Sequence, residues 1–325
     1  MTKSWNEISE IVNIELEKLN WLKEPQGLYS PIKYVLSLGG KRIRPALTLM
    51  SCNIFSNDIS QAVAPALGIE VFHNFTLLHD DIMDKAPIRR GQDTVHIKWD
   101  ENTAILSGDV MQIAAFKLIS LTPDSALKEV LNLFTDTAAE ICEGQQYDME
   151  FENRNDVSVE EYLEMIRLKT AVLLGCSLKV GALIGGANCT DTQHLYDFGI
   201  NIGLAFQLMD DILDVYGNEE NFGKKIGGDI ICNKKTFLLI QAQKNANPEQ
   251  KKQLKYWLEQ IDFNAKDKIK AITELYNSIG VRKICEDMMH NYYNKAIADI
   301  ENVQVESSKK HELRNLAEKL MQRID

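Results

Sequence analysis

Only seven of the 325 residues are proline, and Pro248 is the single one beyond Pro123. Proline breaks a helix interior because its ring removes a donor and clashes with the preceding turn. A chain so nearly free of breakers can sustain long helices, and its apolar spacing says that it does. Ile8, Ile11, Val12 and Leu19 lie close to one face of the first segment, with Ile14 off by one, and Glu and Lys take the other face. The same period covers about 31–38, 42–55, 60–84, 101–120, 124–151, 158–186, 191–217, 233–245, 249–261, 266–276, 278–303 and 308–323. The interruptions are helix punctuation: Pro25 to Pro31, Gly39–Gly40, Pro87 to Gly91, Thr122–Pro123, Gly217 to Gly228 and Asn247–Pro248. No sustained period-two alternation occurs, so strands should be nearly absent. There is no fixed-period repeat and no low-complexity linker. The reading is one all-α domain over 1–325.

Composition narrows the function. Lys plus Arg is 36 and Asp plus Glu is 47, a formal charge of −11, which argues against a nucleic-acid binder. Anionic ligands stay open, because metal ions and a few local cations can invert the field of one cleft. The six cysteines (Cys52, Cys142, Cys176, Cys189, Cys232, Cys285) form no C-x-x-C pair, which disfavours a zinc cage or a disulfide framework. The N-terminus carries acids every few residues and has no apolar core of a signal peptide. The least charged stretch, Thr170 to Thr190, is broken by Lys179 and four glycines, so it reads as a buried helix with no stable membrane insertion. The expected compartment is the cytoplasm.

Two acidic motifs stand 130 residues apart. Asp80, Asp81 and Asp84 form DDIMD, and Asp210, Asp211 and Asp214 form DDILD, each at the end of an apolar helical run. On a helix, residues i and i+4 share a face, so Asp80 stands over Asp84 and Asp210 over Asp214. Like charges at that spacing, near a helix C-terminus, oppose both pair repulsion and the helix dipole. They need a compensating cation, and hard oxygen donors without His or Cys point to Mg²⁺. Basic residues cluster nearby in sequence: Lys41, Arg42 and Arg44 in GGKRIRP, Arg89 and Arg90 after the first motif, and Lys224, Lys225 and Lys234 around GGD after the second. Guanidinium forks suit phosphate oxygens, and lysines add point charges. The pattern suggests two anionic head groups, one held through metal and one by cations directly.

At this level of detail the chain resembles the trans-isoprenyl diphosphate synthases, the head-to-tail prenyl-elongating enzymes. The resemblance rests on GGKRIRP (39–45), LLHDDIMDKAPIRRG (77–91), the Lys169–Thr170 pair, FQLMDDILDVYG (206–217) and GKKIGGDI with the following Lys234, in the family's order and spacing. It implies the all-α isoprenoid synthase fold with helices around a central cavity, about three Mg²⁺ ions with Mn²⁺ able to substitute, and a homodimer. It further implies that Asp80 and Asp84 bridge Mg²⁺ to the allylic diphosphate, and that Asp210 holds a further ion. Asp211 and Asp214 support that ion through water, and Asp81 completes the metal set. Arg89, Lys169, Lys224 and Lys234 are expected on the allylic diphosphate, with Lys224 preferred over Lys225. Lys41, Arg44, His73 and Arg90 are expected on isopentenyl diphosphate, without metal. Thr170 and Gln207 should line the reacting carbons. The substrates implied are isopentenyl diphosphate and a dimethylallyl, geranyl or farnesyl diphosphate.

Product length is read upstream of Asp80, where Thr76 lies at −4, Phe75 at −5 and Phe72 at −8. At about 1.5 Å per residue, Phe75 falls roughly 7.5 Å and Phe72 about 12 Å below the acidic end. Phe at −5, Thr at −4 and no insertion in the first motif resemble the geranylgeranyl (C20) pattern, with farnesyl (C15) as the alternative. A class I terpene cyclase or head-to-head synthase is disfavoured by the second motif being DDILD beside an intact GKR loop. A non-catalytic subunit of the same fold should have lost site residues, and none is missing.

Overall fold

The structure, a computed structural model, describes residues 2–217 and 226–321. Its elements are helical except for one hairpin. In chain order they are α1 (Trp5–Glu17), α2 (Gln26–Ser37), α3 (Ile43–Phe55), α4 (Ser60–Met83), β1 (Ile88–Arg89), β2 (Gln92–Asp93), α5 (Val95–Lys98), α6 (Glu101–Ile119), α7 (Asp124–Glu152) and α8 (Val159–Ile166). A π-helical turn over Arg167–Ala171 leads into α9 (Val172–Gly185) and α10 (Cys189–Tyr216). After the undescribed stretch come α11 (Gly228–Ile231), α12 (Phe237–Asn245), α13 (Pro248–Glu259), α14 (Ala265–Ile279), α15 (Val281–Asn302) and α16 (Ser307–Met321). The all-α expectation holds.

Local sequence explains most boundaries. Ser4 and Ser158 close capping boxes with Glu7 and Glu161, and Asn247 does the same with Gln250 ahead of Pro248. Gly280 ends α14 in the left-handed conformation and separates it from α15. Three expectations need correction. Helix α2 runs through Pro31, because burying Pro31, Ile32, Val35 and Leu36 on one face outweighs one lost hydrogen bond. The segment expected to be helical from 233 starts only at Phe237, with Lys234–Thr236 outside any helix and Thr236 as the extended N-cap. The run 158–186 is not one uniform α-helix, since the π turn interrupts it. By length and composition Val159–Gly185 could cross a membrane, yet 67% of its most apolar window is buried in the protein. That burial fits a core helix.

The fold divides into two compact units. The first holds the chain up to Thr135 with Cys176–Tyr196 and Val303–Glu312. Its core includes Ile8, Ile32, Leu49, Ile69, Phe72, Met111 and Phe134, all fully buried. Helices α3 and α9 touch backbone to backbone there: a Cβ at Gly181 would sit 2.0 Å from the Thr48 carbonyl oxygen, and Ser51 Oγ donates to Leu178 O at 2.6 Å. The second unit holds Asp136–Gly175, Asp197–Asn302 and the chain from Leu313, with a core built on Tyr162, Leu208, Ile212, Phe237, Tyr276 and Met289.

Candidate active site

The first unit gathers the first acidic motif, the Arg pair and the GGKR loop around the C-terminal half of α4. Asp80, Asp81 and Asp84 lie on its last turn and its C-cap. Asp81 turns inward and is buried. Arg89 Nε meets both of its carboxylate oxygens at 2.8 Å, Arg89 Nη2 meets Oδ1 at 2.7 Å, and the same nitrogen stands 3.5 Å from Asp80 Oδ2. Burial pushes the Asp81 carboxyl upward while Arg89 pulls it back down. The hairpin that carries Arg89 closes with Arg90 and Gly91, both at positive φ (53° and 74°), the conformation of a two-residue type I′ turn. Arg90 thereby leaves the direction of Arg89. Its Nη1 donates to Gly39 O, and a Cβ on Gly40 would come within 2.9 Å of its guanidinium, at a backbone φ of 134° that already favours glycine.

Within that loop Lys41 is exposed, Arg42 is buried, and Arg44 Nη1 stands 3.1 Å from His73 Nε2 on α4. Burial lowers the His73 imidazole well below its ordinary value, and Arg44, Arg90, Arg89 and Arg42 add to the effect. His73 is therefore neutral, with Nε2 accepting from Arg44 and Nδ1 carrying the proton. Burial lowers Arg44 to about 10. Its buried Nε finds no acceptor among the described residues, which suits an incoming anionic oxygen. Above the acidic end, ring contacts run from His79 to Phe75 (4.8 Å), Phe72 (5.4 Å), Phe134 (5.1 Å) and Phe116 (5.0 Å). Thr76 Oγ1 donates to His73 O at 2.8 Å, within its own helix.

The second unit gathers the rest. Asp210, Asp211 and Asp214 lie on the last turns of α10, and Lys169 and Thr170 on the π turn. Lys169 Nζ meets Asp148 Oδ2 on α7 at 2.6 Å, and Thr170 Oγ1 donates to Gln207 Oε1 at 3.4 Å. Burial works against charge on Asp148, but Lys234 and Lys169 outweigh it and hold the carboxyl below its usual value. Asp211 is turned inward like Asp81. Its Oδ2 accepts from the Tyr162 hydroxyl (2.6 Å) and the Phe237 amide (3.1 Å), and burial pushes it up to about 8. Asp214 Oδ2 accepts from the Asp229 amide at 3.1 Å, and Lys234 N donates to Asp229 O at 2.9 Å. Asp148, Lys169, Thr170, Gln207, Asp210 and Lys234 are among the residues lining one cavity of about 130 Å³.

Each unit thus assembles the sequence-predicted residues that belong to it, while Lys224 and Lys225 lie outside the described residues. Sequence reasoning missed Asp148, Tyr162 and Glu70 as partners of the site, and it set Arg42 in the anion-binding basic cluster, whereas the structure buries it against Glu70. Asp229 could have been found, since it stands in the quoted GGD segment. As for a metal, no three His, Cys, Asp or Glu among the described residues gather closely enough to hold an ion alone. Yet the donors are hard carboxylates in i, i+4 pairs, which suits a small divalent ion that keeps waters and borrows phosphate oxygens. The residues fit such an ion.

The model of the polyprenyl synthetase family matches residues 25–276. The chain belongs to that family. It is 39% identical over 236 residues to a geranylgeranyl diphosphate synthase of Methanosarcina mazei, covering 72% of this chain and 73% of the relative. A geranylfarnesyl diphosphate synthase of Natronomonas pharaonis is 38% identical over 252 residues (72% and 74%). A crystal structure of a geranylgeranyl pyrophosphate synthase superposes with a TM-score of 0.94 at 43% identity, over 99% of this chain and all of that one. The all-α architecture is therefore the isoprenoid synthase fold, and the family uses divalent metal to bind diphosphate.

Proposed function

We propose that this polyprenyl synthetase condenses isopentenyl diphosphate head to tail with an allylic diphosphate (dimethylallyl, geranyl or farnesyl) and releases geranylgeranyl diphosphate. The observation that carries the reading is the pair of arginines, Arg44 and Arg90, gathered with the neutral His73 near Gly39–Gly40, a few residues along the chain from a carboxylate pair. A cyclase needs one diphosphate site, whereas an elongating synthase needs two of different chemistry. Relatives named for geranylgeranyl synthesis support the product.

In this reading Asp80, Asp84, Asp210 and Asp214 hold Mg²⁺, about three ions with Mn²⁺ able to substitute. The inward-turned Asp81 and Asp211, expected from sequence among the ligands, keep Arg89 and α10 in place instead. The bound metal would stabilise negative charge on the departing diphosphate. Lys169, Lys234 and Arg89 grip that diphosphate, with Lys224 expected to join them. The allylic carbon–oxygen bond breaks with its electron pair on oxygen, and the Thr170 and Gln207 oxygens turn their dipoles toward the cation. Lys41, Arg44, His73 and Arg90 hold isopentenyl diphosphate, whose double bond attacks the cation and whose proton passes to the released diphosphate. We read 1–325 as one catalytic domain, since the family match takes in parts of both units. We place it in the cytoplasm as a homodimer.

Incubating the purified chain with radiolabelled isopentenyl diphosphate, Mg²⁺ and each primer, followed by mass spectrometry, tests the proposal. A C20 product is expected. Incorporation that stops at C15 or reaches C25 would replace the product assignment, and no incorporation with any primer would reject the activity.

A further inference from the structure

We propose that the buried Arg42–Glu70 pair is a positioning device for the isopentenyl diphosphate site, setting the course of the Gly39–Arg42 loop into α3 and so the directions of Lys41 and Arg44. The inference rests on the assignment of Lys41, Arg44, His73 and Arg90 to that substrate.

Neighbouring residues of this loop diverge, with Lys41 exposed and Arg42 buried. The divergence requires an uncommon backbone: Arg42 sits at φ 48°, ψ 38°, in the left-handed region that a side chain other than glycine disfavours. Such a conformation persists only where its surroundings over-determine it. Here they do. Arg42 Nη1 donates to Glu70 Oε1 at 2.6 Å and Nη2 to Leu36 O at 2.5 Å, so one guanidinium spans the last turn of α2 and the middle of α4. Glu70 is itself fixed, because Asn74 Nδ2 donates both to its Oε1 (2.9 Å) and to its main-chain carbonyl (2.8 Å).

The loop docks on α4 a second time through Arg44 and His73. Glu70 and His73 are three residues apart and share a helix face, so the two contacts fix the loop in both position and rotation. Bond by bond, the pair does not look like a device for stability. Both side chains are almost wholly buried, and a buried ion pair is generally no more stabilising than apolar residues of the same volume. What it provides is direction. Glu70 also supplies negative charge beside Arg44 and Arg90, in a region where Arg42, Arg44, Arg89 and Arg90 all act on His73. It holds the cations together before an anionic substrate arrives.

Two full-length variants test this. Arg42→Lys keeps the charge but lacks the fork that reaches Glu70 and Leu36 together. The double variant Arg42→Leu with Glu70→Leu removes the pair without leaving a lone buried charge. Thermal unfolding and the KM for isopentenyl and geranyl diphosphate would be measured beside wild type. The expected result is a KM for isopentenyl diphosphate raised at least fivefold in both, a KM for geranyl diphosphate within twofold of wild type, and a leucine pair melting no lower than wild type. An unchanged isopentenyl KM in either folded variant, or both KM values rising in parallel, would overturn the proposal. A wild-type chain that consumes no isopentenyl diphosphate would overturn the site assignment itself, and that control is read first.

Discussion

At the scale of single residues, the two acidic motifs divide their labour in the same way. The central aspartate of each, Asp81 or Asp211, points into the protein, where Arg89 or Tyr162 engages it. Replacing a proposed metal ligand should therefore cost chemistry rather than structure. Asp80→Ala and Asp210→Ala are expected to lower turnover by orders of magnitude, an effect of several kcal/mol on charge that develops as the diphosphate leaves. Circular dichroism should stay at wild type while isopentenyl incorporation collapses. His73 permits a prediction in pH. Burial and the arginines lower its folded pKa well below 6.5, so below about 6.5 the unfolded chain binds a proton that the folded chain refuses. Its contribution to stability is complete above that pH and is lost as pH falls. His73→Gln should flatten the fall in melting temperature between pH 7 and 5 relative to wild type; an unchanged profile would place the acid-sensitive group elsewhere.

At the scale of elements, the decisive features are close backbone approaches. A Cβ on Gly144 of α7 would lie 2.4 Å from the Lys169 amide nitrogen, so α7 rests directly against the π turn. Gly144→Ala should push that turn away, displacing Lys169 from Asp148 and Thr170 from Gln207. A loss of tenfold or more in kcat/KM for the allylic substrate is expected, with a lower melting temperature. Helix α4 gives a second test at this scale. Phe72 is locked between Phe75 and Phe134, so truncating it leaves a cavity costing about 3–5 kcal/mol and confounds any effect on product. Phe75, less completely enclosed, is the better probe, and Phe75→Ala should lengthen the product ladder under excess isopentenyl diphosphate. Helical periodicity made nearly all of these elements legible in sequence, since burial repeats every turn. The π turn was not legible, because the five residues Arg167–Ala171 are too few to display a change of period. The non-helical Lys234–Thr236 was equally hidden: the Lys234 amide bonds back to Asp229 O and the Thr236 amide to Lys234 O, turn contacts that apolar periodicity does not encode. Asp148 and Glu70 carry no motif, and their roles exist only through partners distant in sequence.

At the scale of the whole molecule, one helix presents an unusual surface. Ile105, Leu106 and Ile113 of α6 are 42%, 57% and 68% exposed. If the proposed homodimer buries that face, Leu106→Glu with Ile113→Glu should shift the mass seen by light scattering from dimer to monomer. A wild-type mass equal to one chain would dismiss the homodimer. Finally, the hairpin at Ile88–Asp93 makes chain length as critical as chemistry. Arg89 ends a strand and Arg90 begins a left-handed turn, and this alone sends two adjacent guanidiniums to different destinations, one to the acids and one to Gly39. Deleting one residue between Asp84 and Arg89 would bring Arg90 to the strand position and Gly91 to the turn, and inserting one would put Ile88 where Arg89 meets the acids, so this loop tolerates a change of side chain far better than a change of length.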